Sequence, residues 1–254
     1  MEPRTLNNKP LVEAILEVKW QLATEASAPP IDPNYRLFFG RFYDRVRNEY
    51  PAYEALEAAT IPDVMAASVA QYRFRIKEKG WPLIQIGPGM LTLNDTDSYE
   101  WPDFEKRAHW ALEKLFESYP GRLQIESLLL RYIDAVQVDF SKEDVTSFLR
   151  DKLKIVLSYP ESLFQRGYVN QAPIALVLQS AFQSTIPKGK VQLKFAKGKV
   201  REKEALVWET SISSRGRDLP PLPHDFPSWL SAAHAITDDW FFKLIDGELL
   251  HRFE

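Results

Sequence analysis

The chain of 254 residues contains no cysteine, which excludes disulfide bonds, thiolate nucleophiles and cysteine-ligated zinc. Its four histidines, at positions 109, 224, 234 and 251, form neither an HxH nor an HExxH pattern, so we predict no metal site and no cofactor. No apolar run approaches the roughly 20 residues that a membrane-spanning helix needs. Because the first ten residues also hold no apolar stretch of the signal-peptide kind, we expect a cytoplasmic protein without membrane contact.

The chain has no large excess of charge of either sign. With a formal net charge of only -3, it offers no general attraction for nucleic acid or for an anionic membrane. Sequence signatures of common enzymes are missing too, because there is no GxSxG motif and no dinucleotide-binding fingerprint. The turn at Gly87-Pro88-Gly89 lacks the Lys-Ser/Thr of a phosphate-binding loop, so it predicts a hairpin.

One pattern does recur, at a constant offset of 125 residues. The first copy is Trp101-Pro102-Asp103-Phe104, Ala108-His109 and Glu113, and the second is Phe226-Pro227-Ser228-Trp229, Ala233-His234 and Asp238. An internal repeat bears on the whole architecture, so it outweighs any single motif. A proline in the first turn and an apolar stripe predict that both copies are helices.

The order of predicted elements repeats as well. Alternation predicts a strand over 12–20, and turn residues around short apolar runs predict strands over 72–76, 83–86 and 90–93. In the second half the content of Leu, Ile and Val predicts a strand over 125–140, and further strands are expected over 174–179, 192–195 and 206–212. Helical spacing predicts helices over 35–50, 145–157 and 228–245, besides the first repeated helix, whereas residues 52–70 remain ambiguous. Each half therefore reads β-α-β-β-β-α, with an N-terminal half over 1–121 and a C-terminal half over 122–254. The predicted class is α+β, with an antiparallel sheet or sheets and long helices packed on one face.

Five motifs spread over most of the chain carry a family resemblance. They are the opening Pro10–Val18, the turn Gly87–Asn94, the helix start with Tyr99, Trp101 and Phe104, the strand Leu130–Ile133, and the helix Trp229–His234. In these motifs the chain resembles a sporadically distributed family of uncharacterised bacterial proteins of similar length. The resemblance implies no established activity. The sporadic distribution implies an accessory role, for example in a bacterial defence, mobile-element or toxin-linked system.

The candidate catalytic residues are two His–carboxylate pairs. His109 with Glu113, and His234 with Asp238, stand at i, i+4 spacing, which lets the two side chains touch on a helix. A carboxylate that orients an imidazole serves general-base catalysis and keeps the ring protonated nearer neutral pH. Each histidine also flanks the apolar stripe of its helix, where a structural role is common, and duplication favours that structural role.

The candidate partner-binding residues form a basic stretch over 188–203, which we interpret as a hairpin. Its cations are Lys188, Lys190, Lys194, Lys197, Lys199 and Arg201, followed by Lys203, with Val191, Leu193 and Phe195 alternating inward. Such a patch suits an acidic protein partner or nucleic-acid phosphates. Lysines on an edge strand also prevent the association of sheets, so a purely structural role stays open.

An ion pair is a further expectation at the junction of the halves. If the first strands of the two halves meet, Glu13 or Glu17 would pair with Arg131, close to Asp134, and set the register.

Among function classes the sequence favours a binding or interaction protein over an enzyme, with a protein, peptide or small ligand in the curved sheet or between the halves. The alternatives are a hydrolase with a His–carboxylate dyad and a nucleic-acid-binding protein that uses the basic stretch.

Overall fold

The computed structural model describes residues 6–24, 29–62, 65–96 and 99–254. The strands are β1 (Leu11–Trp20), β2 (Ala52–Ala55), β3 (Tyr72–Arg75), β4 (Leu83–Gly87), β5 (Met90–Asp95), β6 (Ile125–Gln137), β7 (Val177–Thr185), β8 (Lys188–Val200) and β9 (Lys203–Arg215). The helices are α1 (Tyr35–Val46), α2 (Trp101–Ser118), α3 (Val145–Leu153), α4 (Phe226–Ile245) and α5 (Glu248–Phe253). Across these ranges no helix combines the length and the apolar character that a bilayer crossing requires.

All nine strands belong to one antiparallel sheet in the order β2-β3-β4-β5-β1-β6-β9-β8-β7. The central neighbours are β1 and β6, which pair with Leu16 opposite Leu130. On one side β5 flanks β1, and on the other β9 flanks β6. The predicted α+β class with an antiparallel sheet is therefore confirmed, and the two halves share one continuous sheet.

The core lies on one face of this sheet. Alternate residues of β1, such as Leu16 and Val18, are buried in one cluster with Phe38 and Phe42 of α1 and with residues of α2 and α4. A second cluster joins residues of β6, β8 and β9, including Trp208, to α3, α4 and α5. The helices thus pack on the same face, and the period-two alternation of the strands determines which side chains they cover.

Several predicted boundaries were wrong for physical reasons. Helix α3 ends at Leu153 and not at 157, because Lys154 adopts the left-handed conformation that terminates a helix. Strand β7 extends from 177 to 185, beyond the predicted 174–179. As the last strand of the sheet it is largely exposed on both faces, so its sequence carries no alternation of apolar and polar residues.

A buried carboxylate ties the loop after β1 to the rest of the fold. Asp32 is only 7% exposed, and its oxygens accept hydrogen bonds from Trp20 Nε1 at 2.7 Å and from the Tyr119 hydroxyl at 2.8 Å. The backbone N–H groups of Asn34 and Gly89 add bonds at 3.1 and 3.3 Å. Four donors from four different segments therefore compensate the burial of this one side chain.

Candidate functional site

A cleft of about 710 Å³ opens between helix α4 and the central strands of the sheet. Its floor includes Tyr132 and Asp134 of β6 and Thr210 of β9, and one wall is formed by α4 from His234 onward together with Asp246, the residue after the helix. The segment before β1 and the start of α2 close the other side. Residues of both halves of the chain therefore line the cleft.

His234 lies in this cleft, where it is fixed by aromatic neighbours. Its ring stacks on Trp101, with 3.7 Å between ring centroids and 12° between planes. Its Nδ1 lies 3.1 Å from the hydroxyl of Tyr132, which in turn lies 2.7 Å from the hydroxyl of Tyr99. A chain of three polar groups thus runs along the wall and holds the imidazole in place.

The expected dyad of His234 with Asp238 is not formed, although both residues line the cleft. The imidazole nitrogen is directed at Tyr132 instead. Burial lowers the pKa of His234 from 6.5 to about 4, because desolvation disfavours the charged ring. The expectation of a ring protonated near neutral pH was therefore wrong, and His234 is neutral at pH 7.

The other candidate pair, His109 and Glu113, lies outside the cleft. His109 meets Phe226 edge to face, with ring centroids 5.7 Å apart, and its Nε2 is buried without a hydrogen-bond partner in the described structure. Glu113 is exposed and lies beside Lys114. The structure therefore does not combine the four candidate residues into one site, and no group of three or more His, Asp or Glu in the described ranges is placed to hold a metal ion.

The most unusual group of the cleft is the carboxylate of Asp134, which is only 3% exposed. Within the described residues, no hydrogen-bond donor and no cation contacts it. Desolvation alone raises the pKa of Asp134 from 3.8 to about 8. Asp32, buried to a similar degree, has four donors, so the two buried aspartates differ in this respect.

Thr210 is another polar group in the lining of the cleft that is buried without a partner among the described residues. It is 1% exposed, and its Oγ1 has no hydrogen-bond partner in the described structure. Strands β6 and β9 pair with Asp134 opposite Trp208 and with Tyr132 opposite Thr210, so Thr210 is the diagonal neighbour of Asp134. Two unsatisfied polar side chains therefore lie close together on the floor of one cleft.

The charged residues that line the cleft are mainly acidic. Five are carboxylates, namely Glu100, Asp134, Asp238, Asp239 and Asp246, and two are lysines, Lys9 and Lys243. Each lysine already pairs with a carboxylate of the lining: Lys9 with Glu100, and Lys243 with Asp239 at 2.7 Å. In the described lining, neither lysine is therefore without a carboxylate partner.

The basic stretch is not a hairpin and not an edge. Residues 188–200 form the single strand β8, which lies between β7 and β9 and therefore is not at the edge of the sheet. Val191, Leu193 and Phe195 point into the core as expected. The interpretation of these lysines as edge protection was thus wrong.

The cations of this stretch also divide between two faces. Lys194 lies on the open face and pairs with Glu209 at 3.2 Å, whereas Lys197 lies over the ring of Phe140 and pairs with Glu204. Lys199 stands opposite Glu204 in the β8–β9 ladder, and Arg201 occupies the turn after β8. Lys188 and Lys190 are exposed at the other end of the strand. No single face therefore carries all six cations.

The expected ion pair across the junction was wrong as well. Although β1 and β6 do meet, Arg131 lies 3.8 Å from Glu209 of β9. Glu13 instead accepts a hydrogen bond from Asn94, and Glu17 pairs with Lys19. The register places Ile15 opposite Arg131, so both glutamates are displaced along the strand from that position.

In comparisons with known proteins, no family model and no curated protein matches the chain. The function must therefore be inferred from the geometry of the cleft.

A signal for Asp134, the central residue of the cleft floor, does exist in the sequence. Leu128, Leu130, Tyr132, Asp134 and Val136 alternate along β6, so the period of two places one carboxylate on an otherwise apolar, buried face.

Proposed function

We propose that this protein is a ligand-binding protein that takes up its ligand in the cleft beneath α4 and catalyses no reaction on it. The observation that carries this proposal is the pair of buried polar groups of Asp134 and Thr210 on the floor of the cleft, for which the described residues provide no hydrogen-bond partner. Burying such groups without partners costs free energy, so a protein gains nothing from them in the folded state alone. A ligand that supplies the missing partners accounts for their position.

The dimensions and lining of the cleft support the same proposal. Its volume of about 710 Å³ falls in the range of about 300–1,000 Å³ that is typical of small-molecule sites. Aromatic side chains, among them Trp101, Phe241 and Phe242, provide apolar walls around a few polar groups. This combination suits binding of an amphipathic ligand, with the polar groups fixing its orientation.

The environment of His234 favours binding over catalysis. A general base works best with a pKa near the working pH, whereas the pKa of His234 is about 4. Its ring is stacked on Trp101 and hydrogen-bonded to Tyr132, an arrangement that positions a wall of the cleft. His234 is therefore proposed to shape the site and not to move protons.

We further propose that residues 1–121 and 122–254 are two copies of one β-α-β-β-β-α unit. The contacts between α2 and α4 support this, because His234 stacks on Trp101 while His109 meets Phe226, and the two pairs are related by the offset of 125. In a two-fold symmetric arrangement, if position i of one copy contacts position j of the other, then position j of the first copy contacts position i of the second. Membership in the sporadically distributed bacterial family, and a role in defence or toxin-linked systems, remain predictions.

Ligand binding can be tested by nuclear magnetic resonance with a fragment library that contains cationic, neutral and anionic compounds. We expect some compounds to shift the indole N–H signal of Trp101, which lines the cleft, and to leave the signal of Trp110 on the same helix unchanged. The signal of Trp101 is assigned with the variant Trp101→Phe. A library in which no compound shifts Trp101 selectively would contradict the proposal.

The absence of catalysis is tested on the compounds that bind. We expect each of them to be recovered chemically unchanged after prolonged incubation with the protein. Turnover that is lost in His234→Ala and retained in His109→Ala, with both variants folded, would instead establish an enzyme. His109 is the matched control because it occupies the equivalent position of the repeat outside the cleft.

A further inference from the structure

We infer that the ligand is an organic cation whose ammonium or guanidinium group is bound on the floor of the cleft by Asp134 and Thr210. The inference rests on the proposed function and specifies its ligand. Ammonium and guanidinium groups carry several N–H donors and no acceptor. They therefore complement a carboxylate and a hydroxyl oxygen that both lack a donor.

The spacing of the two acceptors fits such a group. Asp134 and Thr210 occupy diagonal positions of the antiparallel pair β6–β9, a relation that typically separates two residues by about 7–8 Å. One cation between them can donate to both oxygens at the same time. A ligand with a single donor would leave one of the two buried groups unsatisfied.

The charges around the cleft favour a cation over an anion. Lys9 and Lys243 are each paired with a carboxylate of the lining, so neither is a ready partner for an incoming anion. Asp246, directly after α4, adds an exposed carboxylate to the lining. An anionic ligand would have to replace existing ion pairs in order to reach either lysine.

The lining favours an organic cation over a metal ion. A metal ion requires several oxygen or nitrogen ligands around one point, and no such group of His, Asp or Glu exists in the described ranges. The walls are instead aromatic, with Trp101, Tyr99 and Phe242 among the lining residues. Aromatic side chains attract organic cations through their faces and bury the carbon skeleton of the ligand.

The pH dependence separates a cation from a neutral ligand. Asp134 has a pKa of about 8 in the free protein, so at pH 6 its carboxyl group is mostly protonated. A cation binds the ionised form, so its affinity rises as the pH approaches 8. A neutral acceptor would bind the protonated form, which can donate a hydrogen bond, and its affinity would fall over the same range.

Two sources can deliver the same chemical group. One is a free amine, and the other is a lysine or arginine side chain of a peptide or protein partner. The probes are therefore phenethylammonium, with the uncharged 2-phenylethanol as its matched control, and the blocked tripeptide Gly-Lys-Gly, with its Nε-acetylated form as control. Binding is measured by calorimetry and by the Trp101 signal in phosphate buffer, which contains no amine.

We expect at least one charged probe to bind at least about tenfold more tightly than its uncharged control, and its affinity to rise by about tenfold or more from pH 6 to pH 8. Asp134→Asn should reduce this affinity by at least about tenfold, and Thr210→Val by a smaller factor. Glu113→Gln should leave it unchanged, because Glu113 lies outside the cleft.

The outcomes distinguish this inference from the proposed function. If neutral or anionic fragments shift the indole signal of Trp101 while neither cationic probe does, the cation inference is overturned and the proposal of ligand binding still stands. Full affinity of a charged probe in Asp134→Asn would also overturn it. If no compound at all shifts the indole signal of Trp101, the proposed function itself is contradicted. Binding of the amine alone, or of the peptide alone, supports the inference and identifies the source.

Discussion

Asp32→Ala is expected to lower the free energy of unfolding by about 2–5 kcal/mol, because each of the two buried side-chain donors that it leaves without an acceptor costs about 1–3 kcal/mol. The carboxylate accepts hydrogen bonds from the indole of Trp20 and the hydroxyl of Tyr119, both of which are buried in the core cluster. Without Asp32 these donors lose their acceptor and cannot reach water, so each retains its full desolvation cost. The measurement is equilibrium denaturation by urea.

Asp44→Ala is the matched control for this loss. Asp44 is an exposed aspartate on α1 that pairs with the exposed Arg47 in the described structure, so its removal should change stability by less than about 0.5 kcal/mol. A destabilisation of Asp32→Ala below about 1 kcal/mol would mean that the four donors find other partners, and the network described around Asp32 would be wrong.

Asp134→Asn is expected to act in the opposite direction and to stabilise the free protein as the pH rises. The pKa of Asp134 is 3.8 ordinarily and about 8 in the fold, so between these values the native state holds a proton that the unfolded chain has lost. Stability contributed by the protonated carboxyl is therefore complete below pH 3.8 and is lost as the pH rises towards 8. The amide of asparagine does not titrate and avoids this loss.

The size of the effect follows from the same linkage. From pH 5 to pH 8, the difference in unfolding free energy between Asp134→Asn and the unaltered chain should grow by about 3 kcal/mol in favour of the variant. His234 has its own pH dependence, because its lowered pKa makes stability fall as the pH drops from 6.5 to about 4. That contribution is present in both chains and cancels in the difference.

Urea denaturation of both chains at three or more pH values measures this difference. A constant difference from pH 5 to pH 8 would show that Asp134 titrates normally, so that it is neither desolvated nor unpartnered. A variant that is more stable but no longer binds a cation would show that Asp134 is retained at the expense of stability, as is common for residues of functional sites.

Much of the fold was predictable because its determinants are local. The alternation in β1 and the Pro-containing starts of α2 and α4 specify these elements from their own residues. Strand β7 was predicted poorly, because an edge strand exposed on both faces has no alternation to detect. The α+β class followed from the order of elements, whereas the strand order of the sheet depends on pairing between distant segments.

The candidate site was predicted only in part, because local spacing does not specify which side chains meet. The i, i+4 spacing of His234 and Asp238 allowed a dyad, yet the ring instead meets Tyr132 from a strand 102 residues away in sequence. For Arg131 the alternatives were Glu13 and Glu17, and the partner in the fold is Glu209. Such choices are decided by strand register, which no single segment encodes.

The burial of Asp134 could be read from the sequence, but its lack of a hydrogen-bond partner could not. Its position on the buried face of β6 follows from the alternation of that strand. Whether a buried carboxylate is satisfied depends on its neighbours from other segments, and here Asp32 and Asp134 differ completely. The same residue type thus stabilises the fold at one position and is proposed to recognise a ligand at the other.

The most direct test of the proposed site is a pH titration of the side-chain carboxyl carbon of Asp134, followed by ¹³C nuclear magnetic resonance and assigned with Asp134→Asn. In the free protein the midpoint should lie near pH 8, because burial without a partner disfavours the charged carboxylate. Saturation with a bound organic cation should move the midpoint down by at least about one pH unit, since the cation stabilises the ionised form. A midpoint near 3.8 in the free protein, unchanged by the cation, would contradict both the unpartnered carboxylate and the binding site built on it.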